Sequence, residues 1–353
     1  MQKTEAINTH ADIMENVLGY ERVVGAQSVS ESGAPIFVPK FAMDSNNKSD
    51  GNFDTDPRIY IGTGITYSPE TEYGVVIYCQ REEDLESPLV LAAMQKAGKK
   101  ADRQFIGLIN LDTTPPSVIQ QSATLAMGDS IGHVKVSAGT LGLFVRDIDT
   151  DEQLILSNNH ILANNNNANI GDTIIAPGRV HGGKQPRDKC GTLYKFIKID
   201  MNNHAINEVD AALSTILASR GVTGNIVSGI PGLPNATLVK NRTATIKPNE
   251  NAHKLGRTTK GTSGIVQATN VHVPVGIRVN GQIIRVPFSD QISISSKTTS
   301  FSKGGDSGSA ILNDQAEVVA LLFSGSTTGG AYGTGTTFAS PIDKVFKALN
   351  IKL

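Results

Sequence analysis

The feature that most constrains the fold is a series of short apolar runs in the last two thirds of the chain. From residue 125 onward, runs rich in Val, Ile, Leu and Thr alternate with turns rich in glycine and asparagine, as in "GTLGLFVRD", "GTLYKFI" and "AEVVALLFSG". Short strands bounded by turn residues at this spacing are typical of an all-β barrel or sandwich. The sequence therefore predicts a mostly β structure for this part of the chain.

The first part of the chain predicts a small α+β module. The segment "TEAINTHADIMENVLGY" places Ile7, Ala11, Met14 and Leu18 on one face of a helix that stops at a glycine. A second helix is predicted for "SPLVLAAMQKAGKK", with Ser87 as its N-cap, and runs such as "YGVVIYC" predict strands. The polar segment 44–56 has no apolar periodicity and predicts a mobile loop.

Charge and proline place a boundary between the two parts. Residues 1–120 hold 10 Lys and Arg against 17 Asp and Glu, whereas the remainder holds 22 against 16. "LDTTPPSV" at 111–118 contains two prolines that favour an extended hinge. We therefore expect a regulatory or docking module at 1–118, steered by its charge onto a second domain at 119–353. Chance unevenness within one domain is the alternative.

Composition excludes several classes of function. The chain has 353 residues, of which 39% are apolar and 18% charged, and its formal net charge is −1. This balance argues against a nucleic acid or a membrane surface as partner. The first twenty residues lack the apolar core of a signal peptide, and no run approaches the roughly 18 apolar residues of a membrane span. Cys79 and Cys190 form no metal-ligand spacing and no disulfide framework. We expect a cytoplasmic protein without metal or cofactor.

The end of the chain, "SPIDKVFKALNI", predicts a helix. Ser340 is the expected N-cap and Pro341 the first helical residue. The expected apolar face consists of Ile342, Val345, Phe346 and Leu349.

The stretch "KGGDSGSAIL" at 303–312 contains the candidate nucleophile, Ser307. A serine hydroxyl needs a neighbouring base, and the base needs a group that orients it. Among the seven histidines, His160 lies where the run "QLILSNN" gives way to a turn, and it is the strongest candidate base. Asp210 is followed by the apolar run "AAL", which would draw its carboxylate inward, whereas Asp200 precedes a polar loop and is the weaker orienting candidate.

Four segments carry a resemblance to a known family. "LSNNHIL", "VDAALS" and "GGDSGSAIL" resemble the segments around the triad of trypsin-like (chymotrypsin-fold) serine proteases, in the same chain order. "HKLGRTTKGTSGIV" at 253–266 is similar to a Gly-Arg-Thr-Thr segment of secreted bacterial members such as α-lytic protease. With "SNNHILANNNNANIGD", it indicates an intracellular bacterial branch. The resemblance covers about residues 125–353.

The resemblance implies a chymotrypsin-like double β-barrel, with two six-stranded barrels, a cleft between them and a C-terminal helix. In this arrangement His160 would be the general base and then the acid, Asp210 would orient it, and Ser307 would attack the carbonyl carbon. The backbone N–H groups of Gly305 and Ser307 would form the oxyanion hole.

The resemblance also implies a specificity pocket. Phe301 would form its floor, with Ser302 next to it, and its wall would come from Phe323, Ser324 and Gly325. The register of the wall is open by one residue, because family members carry a serine that matches either Phe323 or Ser324. An uncharged floor favours a small or apolar residue before the scissile bond.

The carboxylate beside the nucleophile, Asp306, needs a partner if it is buried. The resemblance implies a basic residue close to the Gly-Arg-Thr-Thr segment, for which Lys254 is the first candidate and Arg257 the second. We expect Lys254 to pair with Asp306, so that the enzyme is made without a zymogen step.

The sequence thus predicts a serine endopeptidase that cleaves a protein or peptide substrate. By family analogy this is limited cleavage of a partner protein, such as a stress or defence effector. The alternative is a catalytically idle, protease-like module that binds a peptide without cutting it. The sequence does not indicate the oligomeric state.

Overall fold

The computed structural model describes residues 1–23, 34–40, 56–70, 72–111, 123–201, 207–279 and 281–353. The loop predicted at 44–56 lies outside the described residues except for Asp56. The hinge predicted at 111–118 lies outside them except for Leu111.

The described residues of the N-terminal part form two helices and five strands. These are α1 (Lys3–Asn16), β1 (Tyr20–Arg22), β2 (Phe37–Pro39), β3 (Ile61–Ser68), β4 (Glu72–Cys79), α2 (Pro88–Ala97) and β5 (Ala101–Phe105), with short 3-10 helices at Pro57–Tyr60, Glu82–Glu86 and Gly98–Lys100. Ser87 Oγ accepts a hydrogen bond from the N–H of Val90 at 3.3 Å, as expected of the N-cap.

The middle of the chain folds mainly into short strands. They are β6 (Thr124–Leu125), β7 (Ser130–His133), β8 (Gly139–Thr140), β9 (Leu143–Asp147), β10 (Gln153–Ser157), β11 (Thr173–Ile175), β12 (Lys189–Phe196), β13 (Ala212–Thr215), β14 (Gly221–Val222), β15 (Ile226–Val227) and β16 (Thr237–Leu238). One helical turn, α3 (Asn159–Leu162), follows β10, and a 3-10 helix spans Arg179–His181.

The last third of the chain contains longer strands. They are β17 (Asn251–Gly256), β18 (Lys260–Val279), β19 (Gln282–Ser295), β20 (Ala310–Leu312), β21 (Val318–Gly325), β22 (Thr337–Pro341) and, after helix α4 (Ile342–Leu349), β23 (Ile351–Lys352).

Two large sheets account for most of these strands. The first has the order β23-β9-β10-β13-β12-β11-β7-β8. In the second, β17-β20-β21-β22-β19-β18 lie side by side, and β17 also pairs with β18, so these six strands close on themselves. Two curled sheets with a C-terminal helix confirm the predicted double β-barrel fold.

The N-terminal part is joined to the second barrel by strand pairing. β18 is long enough to extend beyond the barrel, and there it pairs with β3, through Thr269 with Ile65 and His272 with Thr63. The order continues from β3 to β4 and β5, so one sheet spans both parts of the chain. Tyr78 on β4 reaches Ser293 on β19 through a 2.8 Å hydrogen bond between their hydroxyl groups.

Apolar packing reinforces this junction. One hydrophobic core contains side chains of both parts, among them Val76, Ile109, Val273 and Phe323. Among the described residues, ion pairs of the N-terminal part such as Lys96–Asp12 and Arg103–Glu86 lie within that part. Strand pairing and buried apolar surface depend little on salt.

Helix α4 confirms the predicted apolar face, since all four of its predicted core residues are buried. The predicted cap is wrong. Ser340 still belongs to β22 and its hydroxyl donates to Gln291 Oε1 at 2.9 Å, while Pro341 occupies the N-cap position. The strand therefore runs directly into the helix. No helix among the described residues is long and apolar enough to cross a membrane.

Two buried histidines lie where α1 packs on the shared sheet. His10 Nε2 bonds to Thr63 Oγ1 at 2.8 Å, and His272 Nδ1 bonds to Ser289 Oγ at 3.0 Å. The remaining ring nitrogen of each is buried without a hydrogen-bond partner among the described residues. Burial lowers the pKa of His10 to about 4 and that of His272 to about 3. Both rings are therefore neutral at neutral pH.

Acid should weaken this packing. The stability that the two neutral rings contribute is present in full above about pH 6.5, the ordinary pKa of histidine, and is lost progressively as the pH falls toward about 4. The thermal unfolding midpoint should fall more steeply between about pH 7 and about pH 4.5 in the wild type than in the His10→Gln/His272→Gln double variant. As the matched control, His253→Gln removes a histidine paired with Asp314 and should keep the steep loss. An equally steep loss in the double variant would contradict the assignment.

Candidate active site

Ser307 lies in a tight loop between β19 and β20 that two glycines shape. Gly305 has φ = +95° and Gly308 has φ = +94°, a backbone conformation that favours glycine. A Cβ at Gly305 would lie 1.5 Å from the guanidinium of Arg257, and one at Gly308 would lie 2.2 Å from Ser157 Oγ. The loop can therefore pack this closely only with glycine at both positions.

The carboxylate of Asp306, fully buried, holds this loop in place. It accepts hydrogen bonds from the N–H of Lys303 at 3.0 Å, from the N–H of Thr258 at 2.8 Å and from the N–H of Thr259 at 3.2 Å. The hydroxyl of Thr259 donates a fourth at 2.7 Å. Hydrogen bonds to a carboxylate are stronger than those between neutral groups, so the Thr258–Thr259 turn and the Ser307 loop are fixed to each other.

Lys254, on β17, lies beside this carboxylate and is itself fully buried. Its Nζ is 3.6 Å from Asp306 Oδ2, which is too long for a direct hydrogen bond. Instead it donates to Thr259 Oγ1, whose own proton goes to Asp306, and to the carbonyl of Lys260 at 3.1 Å. Burial lowers the pKa of Lys254 to about 8, and the charge of Asp306 opposes that shift. The Lys254 ammonium is therefore linked to the Asp306 carboxylate chiefly through the hydroxyl of Thr259.

Arg257, the second candidate partner, contacts the other side of the loop. Its guanidinium packs against Gly305, and its Nη1 donates to His181 Nε2 at 2.6 Å. Because Nε2 of His181 accepts, its Nδ1 carries the proton and donates to Ser130 Oγ at 2.6 Å. Burial, with the neighbouring Arg257 charge, lowers the pKa of His181 to about 4. Burial also lowers the pKa of Arg257 to about 10. No local sequence pattern predicts this contact, since 76 positions separate the two residues.

His160 and Asp210 are brought together by strand pairing. His160 lies in the turn α3, directly after β10. The end of β10 pairs with the start of β13 through Ser157 and Ala212, so Asp210, which precedes β13, lies next to His160. His160 Nδ1 bonds to Asp210 Oδ2, and the His160 N–H donates to Asp210 Oδ1 at 3.2 Å. Asp210 is fully buried. The alternative, Asp200, is exposed.

The Ser307 loop packs on the strand that leads to His160. The Ser307 carbonyl accepts from the N–H of Thr140 at 2.8 Å, and Ser157 Oγ donates to the carbonyl of Thr140 at 2.8 Å. The Ser307 hydroxyl donates to the carbonyl of Phe323 at 3.1 Å. His160 Nε2 is buried and has no hydrogen-bond partner among the described residues. The candidate nucleophile Ser307 and the candidate base His160 are therefore not hydrogen-bonded to each other in this state.

A small cleft beside Ser307 is lined mainly by hydroxyl groups and backbone. Its lining residues are Ser302, Lys303, Ser307, Leu322, Ser324, Gly325, Ser326 and Thr327. Three of the predicted pocket residues, Ser302, Ser324 and Gly325, therefore lie at the cleft. The ring of Phe301 packs in a core of the second barrel instead, and the ring of Phe323 packs in the core that the barrel shares with the N-terminal part. Among the described residues, no group of three His, Cys, Asp or Glu side chains could hold a metal ion.

Comparisons with known proteins find similarity at the level of solved structures. No protein-family model matches the chain, and no curated protein matches it. A Nocardiopsis protease (NAPase) is 15% identical, with a TM-score of 0.45, over 65% of this chain and 98% of that chain. Thermobifida fusca protease A is 16% identical, with a TM-score of 0.43 and coverages of 65% and 98%.

A Cellulomonas bogoriensis chymotrypsin is 15% identical, with a TM-score of 0.41 and coverages of 65% and 98%. At these TM-scores the similarity adds nothing on activity. The double-barrel fold stands on the strand order and register described above.

Lys254→Met should loosen the Ser307 loop, because removing one member of a buried ion pair leaves the other charge unpaired, at a typical cost of about 3–5 kcal/mol. We expect Ser307 to react with a small fluorophosphonate about tenfold or more slowly, since the N–H groups of the loop lose their fixed positions. The second-order rate constant of labelling measures this. Lys260→Met, at an exposed neighbour on β18, is the matched control and should label at the wild-type rate. A wild-type rate in Lys254→Met would contradict the role of the pair.

Proposed function

We propose that the protein is a serine endopeptidase in which Ser307 is the nucleophile, His160 the general base and then the acid, and Asp210 the orienting carboxylate. One observation carries the proposal. His160 is held by a buried carboxylate through Nδ1, its Nε2 has no partner among the described residues, and the strand that leads to it packs against the Ser307 loop.

The proposed chemistry follows from this tautomer. Because Nδ1–H donates to Asp210, Nε2 carries the lone pair that takes the proton of the Ser307 hydroxyl as its Oγ attacks a peptide carbonyl. The buried carboxylate stabilises the imidazolium that results. His160 then gives the proton to the leaving amine, and an acyl group remains on Ser307 until water removes it by the same steps in reverse order.

The negative charge on the carbonyl oxygen needs donors at fixed positions. The N–H groups of Gly305 and Ser307 are the proposed oxyanion hole. Their loop is fixed by Asp306 on one side and by Arg257 on the other. Donors held in advance need no rearrangement when the charge develops, and this is the main source of their effect on rate.

The resting hydrogen bond of Ser307 to Phe323 is compatible with this proposal. A rotation about χ1 moves a serine hydroxyl between staggered positions, and catalytic hydrogen bonds are often loose before substrate binds. The small, hydroxyl-lined cleft favours a small uncharged residue before the scissile bond.

We further propose that residues 119–353 form the catalytic part and residues 1–118 a regulatory part. The substrate would be a partner protein that is cleaved at few sites, such as a stress or defence effector of a bacterial cytoplasm. The alternative, an idle module that only binds a peptide, differs in one property, namely the reactivity of Ser307.

Ser307→Ala should abolish labelling of the chain by a fluorophosphonate probe, because no other activated hydroxyl is expected. His160→Ala should lower the labelling rate by about 10³-fold or more, since triad members act as a unit. In-gel fluorescence of the labelled chain and mass spectrometry of the modified peptide measure both effects.

Ser263→Ala is the matched control. Ser263 Oγ lies 2.8 Å from His253 Nδ1, and His253 Nε2 lies 2.8 Å from Asp314, so this serine also has a histidine and a carboxylate beside it. It lies on strand β18 rather than in a loop with N–H groups in reach. Labelling should be unchanged in this variant. A wild-type chain that is never labelled would leave the idle binding module as the better function.

A further inference from the structure

The segment that follows β5, residues 106–111, lies between β18 and the end of β21, close to the cleft that Ser307 lines. On one side it pairs with β18, where Leu111 N–H donates to the carbonyl of Gly276 at 2.9 Å and Gly276 N–H donates to the carbonyl of Ile109 at 2.9 Å. On the other side Asn110 forms an antiparallel bridge with Gly325, the last residue of β21. The segment therefore lies between β18 and β21 as a short added strand, with Asn110 as its bridged residue.

Polar contacts hold this added strand in place. The N–H of Ile109 donates to Gln80 Oε1 at 2.9 Å. Arg285 Nη1 donates to the same Gln80 oxygen at 2.7 Å and to the carbonyl of Ile109 at 2.9 Å. Ser324 Oγ donates to the carbonyl of Asn110 at 3.0 Å.

Apolar burial adds to the polar contacts. Ile106 and Ile109 are fully buried, and both belong to the core that also contains Phe323. A segment with buried side chains and paired backbone groups is a packed part of the fold rather than a passing connection.

The edge that this strand covers leads directly to Ser307. Ser324 and Gly325 line the cleft together with Ser307, and the preceding residue, Phe323, accepts the hydrogen bond of the Ser307 hydroxyl. An extended peptide that presents a carbonyl to Ser307 must also satisfy its own backbone groups, and it does so best by adding as a strand to a neighbouring edge. The end of β21 is such an edge, and Asn110 already pairs with it.

We propose that residues 106–111 occupy the strand position of an extended peptide substrate, so that the full chain accepts such a substrate only when this segment leaves the edge of β21. The inference rests on the proposed function and names the occupant of that site as the chain itself. Because the segment is tethered, it competes with a peptide substrate at a high effective concentration. The apparent affinity for the peptide is then reduced in proportion to the fraction of molecules in which the segment has left the edge. Ser307 lines the adjoining cleft, whereas the segment contacts the end of β21, so we expect a small reagent to reach the Ser307 hydroxyl with the segment in place.

A reversible lock tests this in one protein. A Cβ at Gly276 would lie 3.2 Å from Cγ of Asn110, close to the separation that a disulfide requires between one Cβ and the opposite sulfur. The double variant Asn110→Cys/Gly276→Cys should therefore tie the segment to β18 when oxidised and free it when reduced. The native cysteines, Cys79 and Cys190, are buried and do not compete for the bond.

Two kinds of probe are used on each state. One is a small alkyl fluorophosphonate, which needs only Ser307. The other is a set of biotinylated tetrapeptidyl diphenyl phosphonates that differ in the residue next to phosphorus, and these must add along the strand edge. We expect the oxidised chain to react with the best extended probe at least about tenfold more slowly than the reduced chain, with equal rates for the small probe.

A release variant provides the second arm. Gln80→Ala/Arg285→Ala removes the anchors of Ile109 and should raise the rate with the extended probe about tenfold over the wild type. Arg278→Ala is the matched control, since this exposed arginine on the same hairpin bonds to Gly281 and does not touch the segment.

The outcomes separate the two proposals. The extended probes could react equally with the locked, reduced and released chains, or with none of them while the small probe reacts. Either result refutes the proposal that residues 106–111 cover the edge of β21, and the proposed function stands. If the small probe reacts with no form of the chain, the proposed function fails, and the inference fails with it.

Discussion

The buried carboxylate of Asp306 is the interaction on which the site depends. A carboxylate removed from water is tolerated only when its oxygens are saturated with donors, and here four donors from two segments converge on it. They tie the Ser307 loop to the Thr258–Thr259 turn. Lys254 supplies the compensating charge at a distance, with Thr259 Oγ1 between ammonium and carboxylate. The positions of the Gly305 and Ser307 amides follow from this anchoring rather than from the loop's own preferences.

The long β18–β19 hairpin connects this site to the N-terminal part of the chain. Its barrel end helps to close the second barrel, and its outer end pairs with β3. This pairing places the N-terminal sheet so that residues 106–111, which follow β5, lie against the end of β21. Under the proposal above, the pairing of β3 with β18 links the anchoring of the N-terminal part to the accessibility of the β21 edge. The buried histidines at the same junction make the packing of α1 on this sheet sensitive to acid, because protonating a buried neutral ring favours the unfolded state.

The sequence predicts the parts of the site that local patterns encode. Gly-Asp-Ser-Gly before an apolar run marks Ser307, a strand that ends in a turn marks His160, and an apolar run that draws a carboxylate inward marks Asp210. What it does not predict depends on contacts between distant segments. Nothing in the run of small polar residues around Thr259 indicates that its hydroxyl bridges Lys254 and Asp306. The pairing of β3 with β18 likewise cannot be predicted from the sequence, since alternating apolar residues predict a strand but not the strand it pairs with. The cap expected at Ser340 failed for a related reason, because strand pairing extended β22 to the first turn of the helix.

In the proposed mechanism, His160 activates Ser307, and the anchored loop provides the donors that face it. A crystal structure of the full chain after reaction with a small fluorophosphonate tests it most directly. We expect a covalent bond from Ser307 Oγ to phosphorus and a phosphonyl oxygen within about 3.2 Å of the N–H groups of Gly305 and Ser307. We also expect His160 Nε2 to have gained a hydrogen bond to the adduct. An adduct on another residue, or a phosphonyl oxygen that points to solvent with His160 Nε2 still without a partner, would contradict it.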